Sequence, residues 1–259
     1  MSNKMTDRLE NQKIIELARN QYETQKRITI PPVIVRLPSN GLIYPKSSPL
    51  SSGTVEIRHM TAYDEDILTN TTYIRNKTVF DKLLESILVT PGIHPDEISA
   101  TDRESLIVSA RIFGYGNDYP VSVIDPSTNQ PIERVIDLSK LSFKPFDLIP
   151  DDNGEFDYIL SNGDKLKFKF INYGEFSSIS SENSISDITR LSITEINGMR
   201  DKNYIDDYVK YQLIASAAKQ FRNHLSQNMP GINYEVEFEG EDGSTFTSTF
   251  QLGSELFWF

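Results

Sequence analysis

An α+β fold, with antiparallel hairpins around a central helical cluster, is predicted by two observations. The stretch EFDYILSNGDKLKFKFIN alternates apolar and polar residues on both sides of an Asn-Gly pair, the pattern of a hairpin. Residues 61–113 instead hold several segments whose apolar residues recur three and four apart, the pattern of helices.

The elements follow in order. Residues 5–27 read as a helix capped by Thr6 or Asp7, with Ile14, Ile15, Leu17, Ala18 and Tyr22 on one narrow apolar face. Pro31-Pro32 ends it, because proline supplies no N–H. Such a helix can pack on its own domain or dock on a neighbour. A strand is expected at 33–37 and another at 53–60, joined by the turn-rich loop LPSNGLIYPKSSP. Thr61 and Asp64 have the spacing of a capping box, and a helix follows them. Val79, Phe80, Leu83, Leu84, Ile87 and Leu88 predict a core helix that Pro91-Gly92 stops. Thr101 and Glu104 suggest a second box, opening a helix through Phe113 that Gly114 would terminate.

Beyond it, strands near 119–124 and 132–138 read as a hairpin. In the next hairpin Asn162-Gly163 suits a type I′ turn, with Lys165, Lys167 and Lys169 on one face and Leu166, Phe168 and Phe170 on the other. Six serines within 177–186 mark a loop or hinge. A helix near 186–197 ending at Gly198 is expected next, then a long helix over 201–225 with Ile205, Val209, Leu213, Ala217, Phe221 and Leu225 four apart. A last hairpin turns at Glu241-Asp242, and the chain ends in ELFWF. The expected organisation is an N-terminal helix or arm over 1–30, an α+β domain over 31–150, a second hairpin with helices over 151–229, and a C-terminal hairpin with an aromatic tail over 230–259.

Composition narrows the function. The 259 residues carry a net charge of -11, and no basic stripe longer than alternate lysines interrupts it. Phosphate backbones and anionic lipid surfaces both require such a stripe, so neither nucleic acid nor membrane is an expected partner. There is no cysteine, hence no disulfide framework, thiolate nucleophile or thiolate metal site. The first twenty residues are charged throughout, so neither signal peptide nor anchor is expected, and no run of ~18 apolar residues could span a bilayer.

The loop echoes a later turn. Leu37, Ser39, Asn40 and Gly41 correspond to Leu160, Ser161, Asn162 and Gly163, and Thr61 or Asn172 then opens a polar, acidic segment. Either hairpins have converged on Asn-Gly, or the chain holds two related strand–turn–strand–helix units.

Catalytic signatures are lacking. No phosphate loop is present, and GYGND at 114–118 follows a helix instead of opening one. His59, His94 and His224 are too scattered for a paired metal motif, and no G-x-S-x-G elbow occurs. Asp64, Glu65 and Asp66 could be paired carboxylates, but just behind a threonine cap they suit a helix N-terminus better. No cofactor, metal or catalytic residue is assigned. Partner contact is the expected mode, through Ile14, Leu17 and Tyr22 of the first helix, Leu42, Ile43 and Tyr44 of the loop, and Phe257, Trp258 and Phe259 at the end. Aromatic side chains are favoured interface anchors, although the last three could equally complete a core.

The motifs also carry a resemblance. Leu37 to Gly41 form L-P-S-x-G, and Ile57 to Leu68 form I-R-x-M-T-x-x-D-x-x-x-L. Asp102, Arg103, Leu106, Arg111, Tyr115, Gly116 and Tyr119 form a D-R block, and Asp137 to Leu141 follow. In this order, over residues 33–175, they resemble the baseplate hub proteins and hub assembly factors of T-even-like contractile-tailed phages. Relatives carry a Cys-Pro-x-Cys knuckle where this chain has Asp125-Pro126-Ser127-Thr128, so the resemblance brings no metal with it. It implies a non-enzymatic structural or chaperone-like part in building the hub, within a hetero-oligomer of other hub subunits or the tape-measure protein. The place would be the host cytoplasm during assembly, or the virion tail. A tail-associated cell-wall hydrolase and a free-standing adaptor are the alternatives.

Overall fold

The computed structural model describes residues 31–179, 184–253 and 256–257. The first expected helix, with Ile14, Leu17 and Tyr22, lies outside them, as do Trp258 and Phe259.

Eight helices and nine strands occupy the described residues, an α+β mixture whose sheets are all antiparallel. β1 (Val33–Arg36) pairs with β2 (Thr54–Ile57) across the long loop, Val33 opposite Ile57 and Arg36 opposite Thr54. Three helices follow: α1 (Ala62–Leu68), α2 (Thr71–Arg75) and α3 (Val79–Ile87). The long α4 (Ala100–Tyr115) comes next, and then the β3 (Asp118–Asp125) and β4 (Gln130–Asp137) hairpin. β5 (Phe156–Ile159) and β6 (Lys165–Phe168) pair, and β7 (Ile193–Ile196) adds to the far edge of β6. Between them lie α5 (Tyr173–Ser177) and α6 (Ser184–Ser192). Two helices, α7 (Lys202–Tyr211) and α8 (Ala215–Gln227), precede the β8 (Glu235–Glu239) and β9 (Thr245–Thr249) hairpin.

Four small sheets cannot each enclose a core, so they share one. A continuous cluster of buried apolar side chains runs from Val35 and Leu37 through Leu83, Leu84 and Leu106 to Phe168, Phe221 and Phe257. Phe156, Phe168 and Phe170 form its aromatic centre, with ring centroids 5.4 to 5.9 Å apart. Leu166, Phe168 and Phe170 are buried while Lys165, Lys167 and Lys169, which alternate with them, are exposed or half-exposed, as the alternation predicts.

Several expected boundaries move, each for a local reason. α4 starts at N-cap Ser99, not at Thr101, and passes Gly114 to stop at Gly116, whose φ of 88° suits glycine. Gly114 stays helical and leaves room for Met60, whose side chain comes within 3.4 Å of where a Cβ would stand. The expected helix over 186–197 is half strand: Ile193-Thr194-Glu195-Ile196 is β-branched at three of four places and satisfies the open edge of β6. The long helix over 201–225 breaks at 212–214. A four-residue step overshoots a turn by ~40°, so five such steps would carry the apolar stripe ~200° round an unbroken helix. The break re-aims it, burying Ile205 and Tyr208 before it and Ala217, Phe221 and Leu225 after it.

The two echoed turns differ. In the second, Gly163 alone has positive φ; its N–H reaches Leu160 O at 2.9 Å, closing a type I turn in place of the expected type I′. In the first, Asn40 and Gly41 both have positive φ. What the two units do share is the helix start. Asn172 and Glu175 open α5 with a reciprocal capping box, as Thr61 and Asp64 open α1.

His224 of α8 packs, partly buried, against this core. Its ring sits 4.6 Å from that of Tyr158 and 5.6 Å from that of Phe168, and its buried Nε2 has no hydrogen-bond partner. Burial therefore holds its pKa below the ordinary histidine value. A depressed folded-state pKa leaves the stabilisation complete above the unfolded value near 6.5 and removes it as pH falls further. Thermal denaturation of the wild type should accordingly drop in midpoint between pH 7 and pH 5. His224→Phe should drop less over the same window, which scanning calorimetry at both pH values would show.

Candidate interaction surface

The loop from Leu37 to Gly53 meets the N-terminus of α4, and one buried carboxylate joins them. Asp102 is fully buried. Its Oδ1 accepts the Ser39 N–H at 3.0 Å; its Oδ2 accepts the Ser39 hydroxyl at 2.7 Å and the Tyr44 hydroxyl at 2.6 Å. In an ordinary capping box the carboxylate would turn back to the N-cap N–H. Here Tyr44 Oη accepts the Ser99 N–H at 3.0 Å, and Ser99 Oγ accepts that of Asp102 at 3.1 Å. Tyr44 thus stands in for the carboxylate at the helix cap and donates its own hydroxyl hydrogen bond to it. Burial pushes the Asp102 pKa up, and that of Tyr44 well up, the latter reinforced by Asp102 itself.

The loop's shape is fixed by two glycines. A Cβ on Gly41 would stand 2.6 Å from Gly53 N, and a Cβ on Gly53 would stand 2.7 Å from Asn40 O. Both residues have positive φ, so the chain closes back to back where only glycine fits.

The remaining motif residues hold the frame. Arg58 forks onto Asp64 at 2.6 and 2.9 Å, and Ser86 Oγ and Thr61 N–H donate to the same carboxylate at 2.7 Å each. Burial alone would raise the Asp64 pKa, but these donors hold it below the usual range. Arg103 pairs with Asp81, donates to Pro95 O at 2.8 Å and lies 3.7 Å over the Tyr173 ring. Arg111 donates to Gly116 O at 2.6 Å and Asp118 O at 3.1 Å, and its Nε reaches Leu256 O at 2.8 Å. Asp125 accepts from Ser127 and from the Glu241 N–H at 2.8 Å, joining the β3–β4 turn to the β8–β9 turn. Among the described residues no group of three or more His, Asp or Glu could hold a metal, and no helix is long and apolar enough to cross a membrane.

This frame sorts the residues expected at an interface. Leu42 is 37% exposed and remains available. Ile43 and Tyr44 turn inward instead, because the Asp102 network draws Tyr44 in and Ile43 follows it into the core. Phe257 is buried as well, with its ring 6.1 Å from those of Phe80 and Tyr115.

Sequence reading missed a pocket beside the loop. Ile43 and Phe170 line it, and Ile188 of α6 and Leu225 of α8 close it, with half-exposed Phe176 and Met229 at the same site. Its volume is about 140 Å³. An apolar cavity of roughly 150 Å³ holds one benzene ring, so this one suits a single aromatic or branched aliphatic side chain. Its lining comes from residues far apart in the chain, and of them Ile43 alone is expected from the sequence as a partner contact.

Removing the carboxylate tests the frame. Asp102→Ala leaves Ser39 and Tyr44 with buried donors and no acceptor, which should cost roughly 3 kcal/mol. Tyr44→Phe keeps the ring but leaves the Ser99 N–H without its acceptor, and should cost about 2 kcal/mol. Urea denaturation of both variants would measure the difference, and equal midpoints would contradict the assignment.

A family model described as T4 bacteriophage base plate protein matches residues 37–258. The match starts at the loop and runs well past residue 175, through β7, α7, α8 and the last hairpin. No curated protein and no solved structure matches the chain. With 222 of its 259 residues inside one family model, beginning at the very loop that Asp102 holds, the chain belongs to the T4 bacteriophage base plate protein family.

Proposed function

We propose that this base plate protein is a non-enzymatic structural or chaperone-like component of the tail baseplate hub, working through contacts with other hub subunits or the tape-measure protein. The family match carries the reading. The use of the motif residues supports it: Asp64, Asp102, Arg103 and Arg111 are all engaged in shaping the chain. The pocket beside the loop is the contact point, with Phe176 and Met229, 50% and 40% exposed, as its anchors. Buried pockets that receive one apolar side chain are where interface energy concentrates.

Two measurements test this. Mass spectrometry of purified virions should find the chain in tails if it is a resident subunit, or only in assembly intermediates if it is a chaperone. Its absence from both would reject the proposal. In co-purification with tail proteins, Phe176→Glu and Met229→Glu should each lower recovery at least tenfold with an unchanged circular dichroism spectrum. A tenfold loss is about 1.4 kcal/mol of binding.

A further inference from the structure

A second and larger groove, about 450 Å³, runs beside α4. Ile34 forms one wall with the neighbouring residues of β1; Val108, Ile112 and Phe113 of α4 form another, and Leu141 and Phe143 complete it. Ile34 is 66% exposed and Phe113 42% exposed. Among the described residues β1 pairs only with β2, so consecutive β1 residues, Ile34 to Arg36, lie along the groove.

The chain itself indicates what covers this face. Residues 1–30 join the described structure at Pro31-Pro32, immediately before this wall. They contain the apolar set Ile14, Ile15, Leu17, Ala18 and Tyr22 at helical spacing. Nine residues of helix, 14–22, would measure ~12 Å, the same as the nine-residue α4 wall from Ser105 to Phe113. The eight residues from Glu23 to Ile30, read as helical to Arg27 and extended beyond it, would span ~17 Å, enough to return the stretch along the groove. Charge favours the same arrangement. Residues 1–30 hold six Lys and Arg against four Asp and Glu, net +2, while the rest of the chain is net -13. The segment is attracted to the body that carries it.

We propose that residues 14–22 dock, apolar face inward, into the α4–β1 groove of their own chain. Absence of cysteine makes the test clean, since any disulfide must join introduced residues. Ile14→Cys, Leu17→Cys, Ala18→Cys and Tyr22→Cys, each combined with Ser109→Cys in the full chain, should include at least one pair that oxidises to an intramolecular disulfide. The same four combined with Thr101→Cys, at the other pocket, should not. Adding Ile34→Glu or Phe113→Glu should reduce the disulfide yield at least tenfold with the circular dichroism spectrum unchanged. No crosslink from any position, equal crosslinking to both sites, or yields indifferent to both groove substitutions would overturn the proposal. Disulfide-linked dimers would overturn it too, in favour of a second copy's segment occupying the groove.

Discussion

The carboxylate of Asp102 is the point on which the rest of the structure turns. A buried carboxylate without a cationic partner is costly unless neutral donors surround it. Here the loop supplies them. Ser39 contributes a hydroxyl and a backbone N–H, and Tyr44 contributes its phenol. The positive end of α4 adds a favourable field at the same place. A seventeen-residue connection between two four-residue strands, regular only in a short 3-10 turn at Pro49–Ser52, is therefore fixed by a side chain from a distant helix.

From that junction the order spreads in both directions along α4. Ser99 and Asp102 set its start, and Arg103 ties its first turn to Asp81 of α3 and to the ring of Tyr173 in α5. Arg111 gathers the carbonyls at its far end and fastens Leu256 there. A single helix thus organises strands, helices and chain end, which explains how four small sheets share one apolar core. The pocket beside the loop follows from the same arrangement, since Ile43 reaches it only because Tyr44 is held inward.

Much of this was legible in the sequence, and the failures have definite causes. Hairpins with strict alternation, such as Lys165 to Phe170, and helices with compact apolar sets, such as Val79 to Ile87, were read correctly because local pattern and burial agree. Thr61 and Asp64 were recognised because a capping box is a local device. The α4 start was misplaced because Thr101 and Glu104 imitate a box, while the true cap uses Tyr44 from fifty-five residues away. The break at 212–214 and the strand at 193–196 answer to neighbours that no window of sequence contains. Leu42, Ile43 and Tyr44 looked alike as apolar loop residues; only the Asp102 network separates the exposed one from the two buried ones. The pocket was invisible for the same reason, being assembled from Ile43, Phe170, Ile188 and Leu225.

The link from Arg111 to Leu256 also bears on how the chain is made. These residues are separated by 145 positions. Ribosomes add about 5–20 residues each second, so the carbonyl that Arg111 Nε uses in the finished fold emerges on the order of ten seconds after α4 has been synthesised. The helix must wait through that interval with one donor engaged elsewhere. Final closure of the core then becomes a late event, timed by the synthesis of Leu256 and not by the intrinsic speed of helix or hairpin formation.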